Sequence, residues 1–270
     1  MIGAAVYRLR ARNTAQIPVV HGRLMHAAFF DILQRLNGKL SAILHDVQSQ
    51  KPFTVSELFP CTSLRRVSKS FLFSEGVEVD WRITALNDLL LRCLQEICPG
   101  QTLRVDHVLL EVERCFLSRE EHKGAGILRE KDLVEACLSV SGVKEVQFEF
   151  RSPVSFRYFS EDYPWPLPEY VFGSLADKWK TFHMPLPVGR EMVRSVAKEV
   201  VPRAWRGGSR TLFLKKDRGI LAFEGKFCYS TERLPLEAQR IFLLLARFAE
   251  FSGVGRLTGH GLGQTRTEWR

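Results

Sequence analysis

A histidine and a lysine six residues apart are the first residues of this sequence that could carry out chemistry. His45 ends a predicted short helix, where the negative end of the helix dipole favours the protonated imidazole, and Lys51 follows across a turn. The pair suits phosphodiester cleavage, because an imidazole can exchange a proton with an attacking or leaving oxygen and an ammonium can stabilise charge on phosphorus. On spacing alone, a surface histidine beside a solvated lysine is the commoner case, so the pair needs support from elsewhere.

A second candidate acid or base is His26, on a longer predicted helix. The apolar residues from Val20 to Leu36 recur at about 100° per residue, and His26 falls on the rim of the stripe that they form. It either faces a reaction site or is a half-buried helix residue.

The carboxy-terminal part of the chain carries most of the positive charge. The last seventy residues hold 13 Lys and Arg against 6 Asp and Glu, which accounts for seven of the nine net positive charges. A basic balance of this size favours a polyanionic partner, although ribosome-like or membrane-surface binding gives the same charge. The segment 203–210 mixes arginine, tryptophan and glycine, which fits phosphate contacts and base stacking as well as it fits a flexible basic loop. A hairpin with a basic tip is predicted for 210–214 and 220–227. The residues predicted to bind RNA in the segment 203–210 and at the tip of this hairpin are Arg203, Trp205, Arg206, Arg210, Lys215, Lys216 and Arg218.

Two glycine pairs follow the last predicted helix. Without side chains, the N–H groups at these positions can approach a phosphate closely, and Arg256 between the pairs can add charge to that contact. Neither the dinucleotide fingerprint nor a Walker loop is present, so the segment by itself fits a mobile tail equally well. The predicted phosphate-binding glycines are Gly253, Gly255, Gly261 and Gly263.

The elements that would position these residues come in the same order in both halves of the chain. Alternating and 3.6-residue patterns predict β, α, β, β, α, β in each half, which is the order of a ferredoxin-like (RRM-like) domain. We therefore expect an α+β protein with tandem ferredoxin-like domains at 1–120 and 144–270, joined by a connecting segment at 121–143. In the first half, predicted elements are a strand at 4–12, helices at 20–36, 39–45 and 85–97, a hairpin of 69–73 with 77–83, and a strand or strand pair at 103–116.

Several classes of protein are not supported. No apolar run is long enough to span a bilayer, and the first residues lack a signal-peptide core, so a cytoplasmic protein without a membrane partner is expected. The six cysteines are scattered and never form C-x-x-C, which indicates reduced thiols and argues against a structural zinc site. We expect no metal and no cofactor.

Two separated motifs resemble a known family. The segment from Leu44 to Ser56, with His45 and Lys51, resembles the histidine-to-lysine segment of the CRISPR-associated endoribonucleases that cut repeat RNA. The G-x-G-x5-G-x-G pattern of the carboxy terminus is similar to that family's glycine loop. Further matches are His21-Gly22-Arg23, Phe150 to Phe156, and Val171 to Leu175, so the likeness spans nearly the whole chain.

The resemblance implies metal-independent cleavage of CRISPR repeat RNA. A ribose 2′-hydroxyl would attack the adjacent phosphorus and leave a 2′,3′-cyclic phosphate and a 5′-hydroxyl, with His45 as acid or base and Lys51 as the nearby cation. The family often adds a tyrosine on the first helix, whereas this chain has no tyrosine between Tyr7 and Tyr158. His26 or Phe30 lies near the position that the tyrosine would occupy. A two-histidine mechanism follows if His26 faces the site.

The implied partner is precursor CRISPR RNA, with other Cas effector-complex subunits or a second copy of the chain as further candidates. One alternative is a subunit of the same superfamily that holds guide RNA without cutting it, and the His45–Lys51 pair argues against that role. Another is a basic two-domain adaptor that binds protein, whose RNA affinity would be weak and insensitive to salt, unlike binding through several phosphates.

Overall fold

The chain forms two compact units. The structure is a computed structural model that describes residues 1–47, 50–60, 64–215 and 218–270. The first unit comprises Met1–Ile127 and Gly259–Gly261, and the second comprises Leu128–Thr258 and Leu262–Arg270. The boundaries expected from the sequence, 1–120, 121–143 and 144–270, stay a prediction about which pieces fold independently.

The first unit is a six-stranded antiparallel sheet with helices and a small second sheet. Its elements are β1 (Ile2–Ala11), β2 (Ala15–Pro18), α1 (Gly22–Leu36), α2 (Gly38–Asp46), β3 (Phe53–Val55), β4 (Arg65–Val67), β5 (Ser70–Phe73), β6 (Glu78–Ala85), α3 (Asp88–Gln95), β7 (Thr102–Val105), β8 (Val108–Phe116) and β9 (Gly126–Leu128). The large sheet runs β3-β6-β1-β8-β7, with β9 beside β1.

The predicted helix and strand positions of the first unit are largely confirmed, but one predicted pairing is wrong. The segments 69–73 and 77–83 do not pair with each other. Strand β5 instead pairs with β2 and β4 in the three-stranded sheet, while β6 lies between β1 and β3 in the large one. Six of the eight residues of β6 are buried, whereas β5 is mostly half-buried. Alternation identified both strands correctly, but only tertiary packing could decide which partner each takes.

Helix α1 is attached to the sheet through one apolar face. Met25, Phe29, Ile32 and Leu33 follow the i, i+4, i+7, i+8 spacing of such a face, and each is at most 2% exposed. His26 directly follows Met25 in the chain. It therefore lies at the edge of the buried face and is half-buried, as the rim position in the sequence predicted.

The second unit contains a four-stranded antiparallel sheet with packed helices. Its elements are α4 (Glu130–Leu138), β10 (Glu145–Val154), β11 (Phe156–Tyr158), β12 (Glu161–Tyr163), α5 (Pro168–Thr181), α6 (Arg190–Ala197), β13 (Val201–Lys215), β14 (Arg218–Ser230), α7 (Leu236–Ser252) and β15 (Thr265–Trp269). The sheet order is β13-β14-β10-β15, and β11 pairs with β12. Phe172 of α5 and Phe242 of α7 pack at 4.4 Å between ring centroids.

The basic segment 203–210 is a strand, which corrects the reading of it as a flexible loop. It belongs to β13, which pairs with β14 along almost its whole length. Gly207 lies opposite Gly225, and a Cβ on either would come within 2.1 Å of a carbonyl oxygen of the other strand. The two glycines therefore let the strands approach closely in a continuous hairpin.

The α+β class predicted from the sequence is confirmed. The described residues contain seven α-helices, and the strand pairs within the four sheet orders given above for β1–β8 and β10–β15 are antiparallel. No helix in the described ranges combines the length and apolar character needed to cross a bilayer.

Candidate active site

Helices α1 and α2 bring His26 and His45 into contact with the same aromatic ring. The Phe30 ring centroid lies 4.9 Å from that of His26 and 5.8 Å from that of His45. Asn37 makes this possible, because it both ends α1 and accepts a 3.0 Å hydrogen bond from the N–H of Leu40 to start α2. The His45 side chain is 78% exposed, whereas His26 is half-buried. Two of the predicted catalytic residues are thus neighbours.

Lys51 closes the carboxy-terminal end of α2. Its Nζ donates hydrogen bonds to the carbonyl oxygens of Leu44, His45 (3.2 Å) and Val47 (2.6 Å). A cation at this end of a helix satisfies carbonyls that have no partner within the helix and complements the helix dipole. Burial lowers the pKa of Lys51, and the neighbouring Asp46 acts in the opposite direction. The ammonium group is therefore held beside the backbone of His45.

The surroundings of His26 favour its neutral imidazole form. Burial lowers its pKa, and the positive charges of Lys51, His45 and Arg23 lower it further. A hydrogen bond from Nδ1 to the carbonyl oxygen of Gly259, 2.7 Å long, acts in the opposite direction.

His260 also belongs to this cluster, although sequence reasoning did not select it. Its ring lies face to face with that of His26, with centroids 4.1 Å apart and 16° between the planes. Burial, followed by the charges of His26, Arg23 and Lys51, lowers the pKa of His260 to about 4. The signal in the sequence was a histidine between two glycines, but only the glycines and Arg256 were considered there. The cluster now comprises His26, His45, Lys51 and His260.

The start of α1 is fixed against the short segment 259–261. The carboxylate of Glu57 accepts hydrogen bonds from the N–H groups of His21 (2.7 Å) and Gly22 (3.0 Å), which places negative charge at the positive end of the helix. A Cβ on Gly22 would lie 2.0 Å from the carbonyl oxygen of His260. Only glycine allows this close approach, which holds His260 beside the first turn of α1.

The glycine-rich segment is residues 253–263. Its outer glycines are held within the second unit by hydrogen bonds that their own N–H groups donate. Gly253 N–H donates to Ala249 O at 2.9 Å, Gly255 N–H to Ser174 Oγ at 3.2 Å, and Gly263 N–H to Pro153 O at 2.9 Å. The guanidinium of Arg256 pairs with Asp162. These bonds support a structural use of the N–H groups rather than the approach to phosphate expected from the sequence. RNA binding by Gly253, Gly255, Arg256, Gly261 and Gly263 stays a prediction.

The basic strand β13 offers an aromatic and cationic surface. Trp205 is 56% exposed and stacks on Phe227 at 5.9 Å between ring centroids. Arg203 pairs with Glu232 at 3.1 Å, and Arg210 pairs with Glu224 at 2.7 Å. Exposed ion pairs of this kind contribute little to stability, so a phosphate can replace the carboxylate at small cost. Arg206 is also exposed on this strand.

The tip of the hairpin falls partly outside what the structure describes. Lys216 lies outside the described residues, and the side chains of Lys215 and Arg218 are likewise not described. Their predicted roles in RNA binding stay predictions. Within the described ranges, no group of three or more His, Cys, Asp or Glu residues is arranged to hold a metal ion.

Two family models match the chain. The model of the CRISPR-associated endoribonuclease Cas6 matches residues 148–265, and that of the CRISPR Cas6 N-terminal domain matches residues 4–102. No curated protein shows significant sequence similarity to the chain.

Solved structures with the same fold include Cas6 proteins determined as product and substrate-mimic complexes. A Cas6 (TTHB231) product complex, a protein from Thermus thermophilus, is 26% identical, with 99% of this chain and 100% of that chain covered and a TM-score of 0.79. A Cas6 (TTHA0078) substrate mimic complex is 22% identical, with 99% of each chain covered and a TM-score of 0.74. The product of a Cas6-related gene from Pyrococcus furiosus is 12% identical, with 99% of each chain covered and a TM-score of 0.65.

These matches define a CRISPR-associated protein with the tandem ferredoxin-like fold predicted from the sequence. The chain belongs to the Cas6 family of CRISPR-associated endoribonucleases. The resemblance noted in the histidine-to-lysine segment and in the glycine-rich segment is thereby confirmed at the level of the family.

Proposed function

We propose that this protein cleaves CRISPR repeat RNA to release mature guide RNAs. The observation that carries the proposal is the cluster in the first unit, where His26 and His45 contact one phenylalanine ring and the Lys51 ammonium group is fixed beside His45. Membership of an endoribonuclease family supports RNA as the substrate, and so do the product and substrate-mimic complexes of its structural relatives.

The cluster provides the groups that cleavage by a 2′-hydroxyl requires. Nε2 of neutral His26 accepts the proton of the 2′-hydroxyl while that oxygen forms a bond to phosphorus. The bond from phosphorus to the 5′-oxygen breaks, and His45 donates a proton to that leaving oxygen. The positive charge of Lys51 stabilises the negative charge that develops on the phosphoryl oxygens. The products are a 2′,3′-cyclic phosphate and a 5′-hydroxyl, and the scheme needs neither a metal ion nor another cofactor.

RNA binding is assigned mainly to the second unit. Arg203, Arg206 and Arg210 supply charge along β13, and the exposed face of Trp205 suits stacking on a base. Other subunits of an effector complex or a second copy of the chain remain candidates for further partners, and a cytoplasmic location stays a prediction.

The direct test is cleavage of end-labelled repeat RNA in excess chelator under single-turnover conditions. We expect one cut with a cyclic phosphate end, and His45→Ala should lower its rate by about 10²–10⁴ while RNA affinity changes little. His107→Ala is the matched control, because that side chain is 83% exposed in the same unit and should have no effect.

A 2′-deoxy substitution at the cut position should abolish cleavage and preserve binding. Full activity of His45→Ala would remove His45 from the mechanism. Tight binding of repeat RNA by the wild-type protein without any cleavage would favour the alternative role of a guide-RNA holder.

A further inference from the structure

The middle of the glycine-rich segment holds the His26 ring from two directions. The carbonyl oxygen of Gly259 lies at hydrogen-bond distance, 2.7 Å, from Nδ1, and the ring of His260 covers the face of the imidazole at 4.1 Å. Both residues belong to the first unit, as His26 does. Two consecutive residues of the segment therefore act on one side chain.

The hydrogen bond to Gly259 determines which nitrogen of neutral His26 carries the proton. A carbonyl oxygen can only accept, so Nδ1 must be the donor, and Nε2 of the neutral ring then has its lone pair available. A histidine that acts as a base needs this arrangement, in which one nitrogen is held by an acceptor while the other accepts the substrate's proton.

The stacked ring of His260 shields His26 without adding charge to it. The groups that face His26 are Arg23 from its own helix, His45 from α2, Lys51 from the segment after α2, and His260. The first three are cations or can become cations, whereas burial, followed by the charges of His26, Arg23 and Lys51, lowers the pKa of His260 to about 4, so its ring is neutral at pH 7. Phe30 and Phe53 lie at 4.9 and 6.0 Å from the His26 ring and complete its apolar surroundings.

We propose that Gly259 and His260 are positioning residues that hold His26 in the Nδ1–H tautomer with Nε2 as the proton acceptor. This inference rests on the proposed function, because it deepens the role of His26 in that reaction. It also gives the middle of the glycine-rich segment a use distinct from contact with phosphate. Gly22 supports the arrangement, since any side chain there would displace the His260 backbone.

The first test uses the RNA-free wild-type protein. Long-range nitrogen NMR of the labelled histidines at pH 7.5 to 8 should show His26 with a protonated Nδ1 and an unprotonated Nε2. His26→Ala identifies the signals. The Nε2–H tautomer at His26 would overturn the inference.

The second test is the pH profile of single-turnover cleavage for three variants. His260→Ala exposes the His26 ring to water, so the pKa of His26 should rise towards its ordinary value and the acidic limb of the profile should move to higher pH. The rate at neutral pH should fall roughly tenfold, which is less than the about 10²–10⁴ expected for loss of an entire acid–base group. His260→Phe keeps a stacked ring and should retain most of the rate, and His107→Ala serves as the control.

A double variant distinguishes positioning from an independent role. If His260 acts through His26, then His260→Ala should cost nothing further in the His26→Ala background. An equal loss in both backgrounds would overturn the inference. Cleavage by a wild-type protein with the wrong tautomer overturns this inference alone, whereas a wild-type protein that does not cleave overturns the proposed function and the inference with it.

Discussion

Lys51 and Lys178 perform the same structural task in the two units, but in different surroundings. Each ammonium group binds carbonyl oxygens at the carboxy-terminal end of a helix: Lys51 at α2, and Lys178 at α7 through Ser252 and Gly253, both at 2.9 Å. Lys51 is partly exposed beside His45, whereas Lys178 is 4% exposed. The same contact can serve a reaction only where its charge can reach a bound substrate.

The pKa values follow this difference. Burial lowers the pKa of both side chains, and for Lys178 it does so to about 7, with no acidic neighbour acting against it. Lys178 stabilises the start of the glycine-rich segment, because it donates a hydrogen bond to the carbonyl oxygen of Gly253, the residue that ends α7. We therefore expect Lys51 to affect the rate of cleavage and Lys178 to affect stability.

The largest expected effect is that of Lys51→Met on cleavage. Removing the permanent charge fixed beside His45 should lower the single-turnover rate by about 10²–10³, as removal of one electrostatic donor typically does. The dissociation constant for uncleavable 2′-deoxy RNA should change by less than about tenfold. Lys39→Met is the control, because Lys39 is exposed on the same helix α2.

The variant Lys51→Arg tests whether a positive charge alone is enough for the role of Lys51. It keeps the charge but cannot reproduce the compact contact with three carbonyls, so an intermediate rate is expected. A Lys51→Met protein that cleaves at the wild-type rate would contradict the distinction drawn between the two lysines.

The next effect is that of Lys178→Met on stability, and its sign depends on pH. The folded-state pKa is about 7 and the ordinary value is 10.5, so the unfolded chain binds more protons than the folded one between these limits. The wild type should therefore gain stability relative to the variant as pH rises from about 7 to 10. At pH 9.5 we expect the variant to be less stable by about 1–3 kcal/mol, because two buried carbonyls lose their donor.

Denaturant unfolding of both proteins at pH 6, 7.5 and 9.5 measures this difference. At pH 6 the penalty for the buried charge offsets the missing hydrogen bonds, so the two stabilities should converge. A stability difference that is the same at all three values would show that Lys178 does not titrate near neutral pH.

The sequence could predict those parts of the site that depend on local spacing. The neighbourhood of His45 and Lys51 follows from a helix end and a turn, and the half-buried position of His26 follows from helical periodicity. The contact between His26 and Gly259 joins residues 233 positions apart, so no local pattern contains it. No local pattern marks Lys178 for burial, since burial on that face of α5 depends on how α7 packs.

The errors in the predicted fold also arise from contacts between residues far apart in the sequence. Alternation located β5 and β6 but could not choose between a hairpin and two separate sheets, because both give the same period of two. For the segment 203–210, a flexible loop was one of the two interpretations that the sequence left open, because the segment contains two glycines. Their partners in β14 made them part of a strand, and that partner was visible only in the folded chain.

The smallest expected effect concerns the charges of β13, which reach solvent as Lys51 does but lie in the other unit. The double variant Arg206→Gln with Arg210→Gln should weaken RNA binding and make it less dependent on salt, by about one unit in the logarithmic slope for each phosphate that no longer binds an arginine. Cleavage at saturating RNA should be unchanged, because neither arginine belongs to the histidine cluster. Arg35→Gln, an exposed arginine of α1, is the control.

Affinity measured at several salt concentrations, together with single-turnover rates at saturation, separates the two kinds of charge. Lys51→Met should change the rate and leave the salt slope nearly intact, whereas the double arginine variant should do the reverse. If the arginine variant slowed cleavage at saturation and kept the wild-type slope, charge on β13 would act on the reaction rather than on binding. The division of work between the units would then have to be abandoned, because the unit in which a charge lies would no longer distinguish the charges that serve the chemical step from those that serve binding.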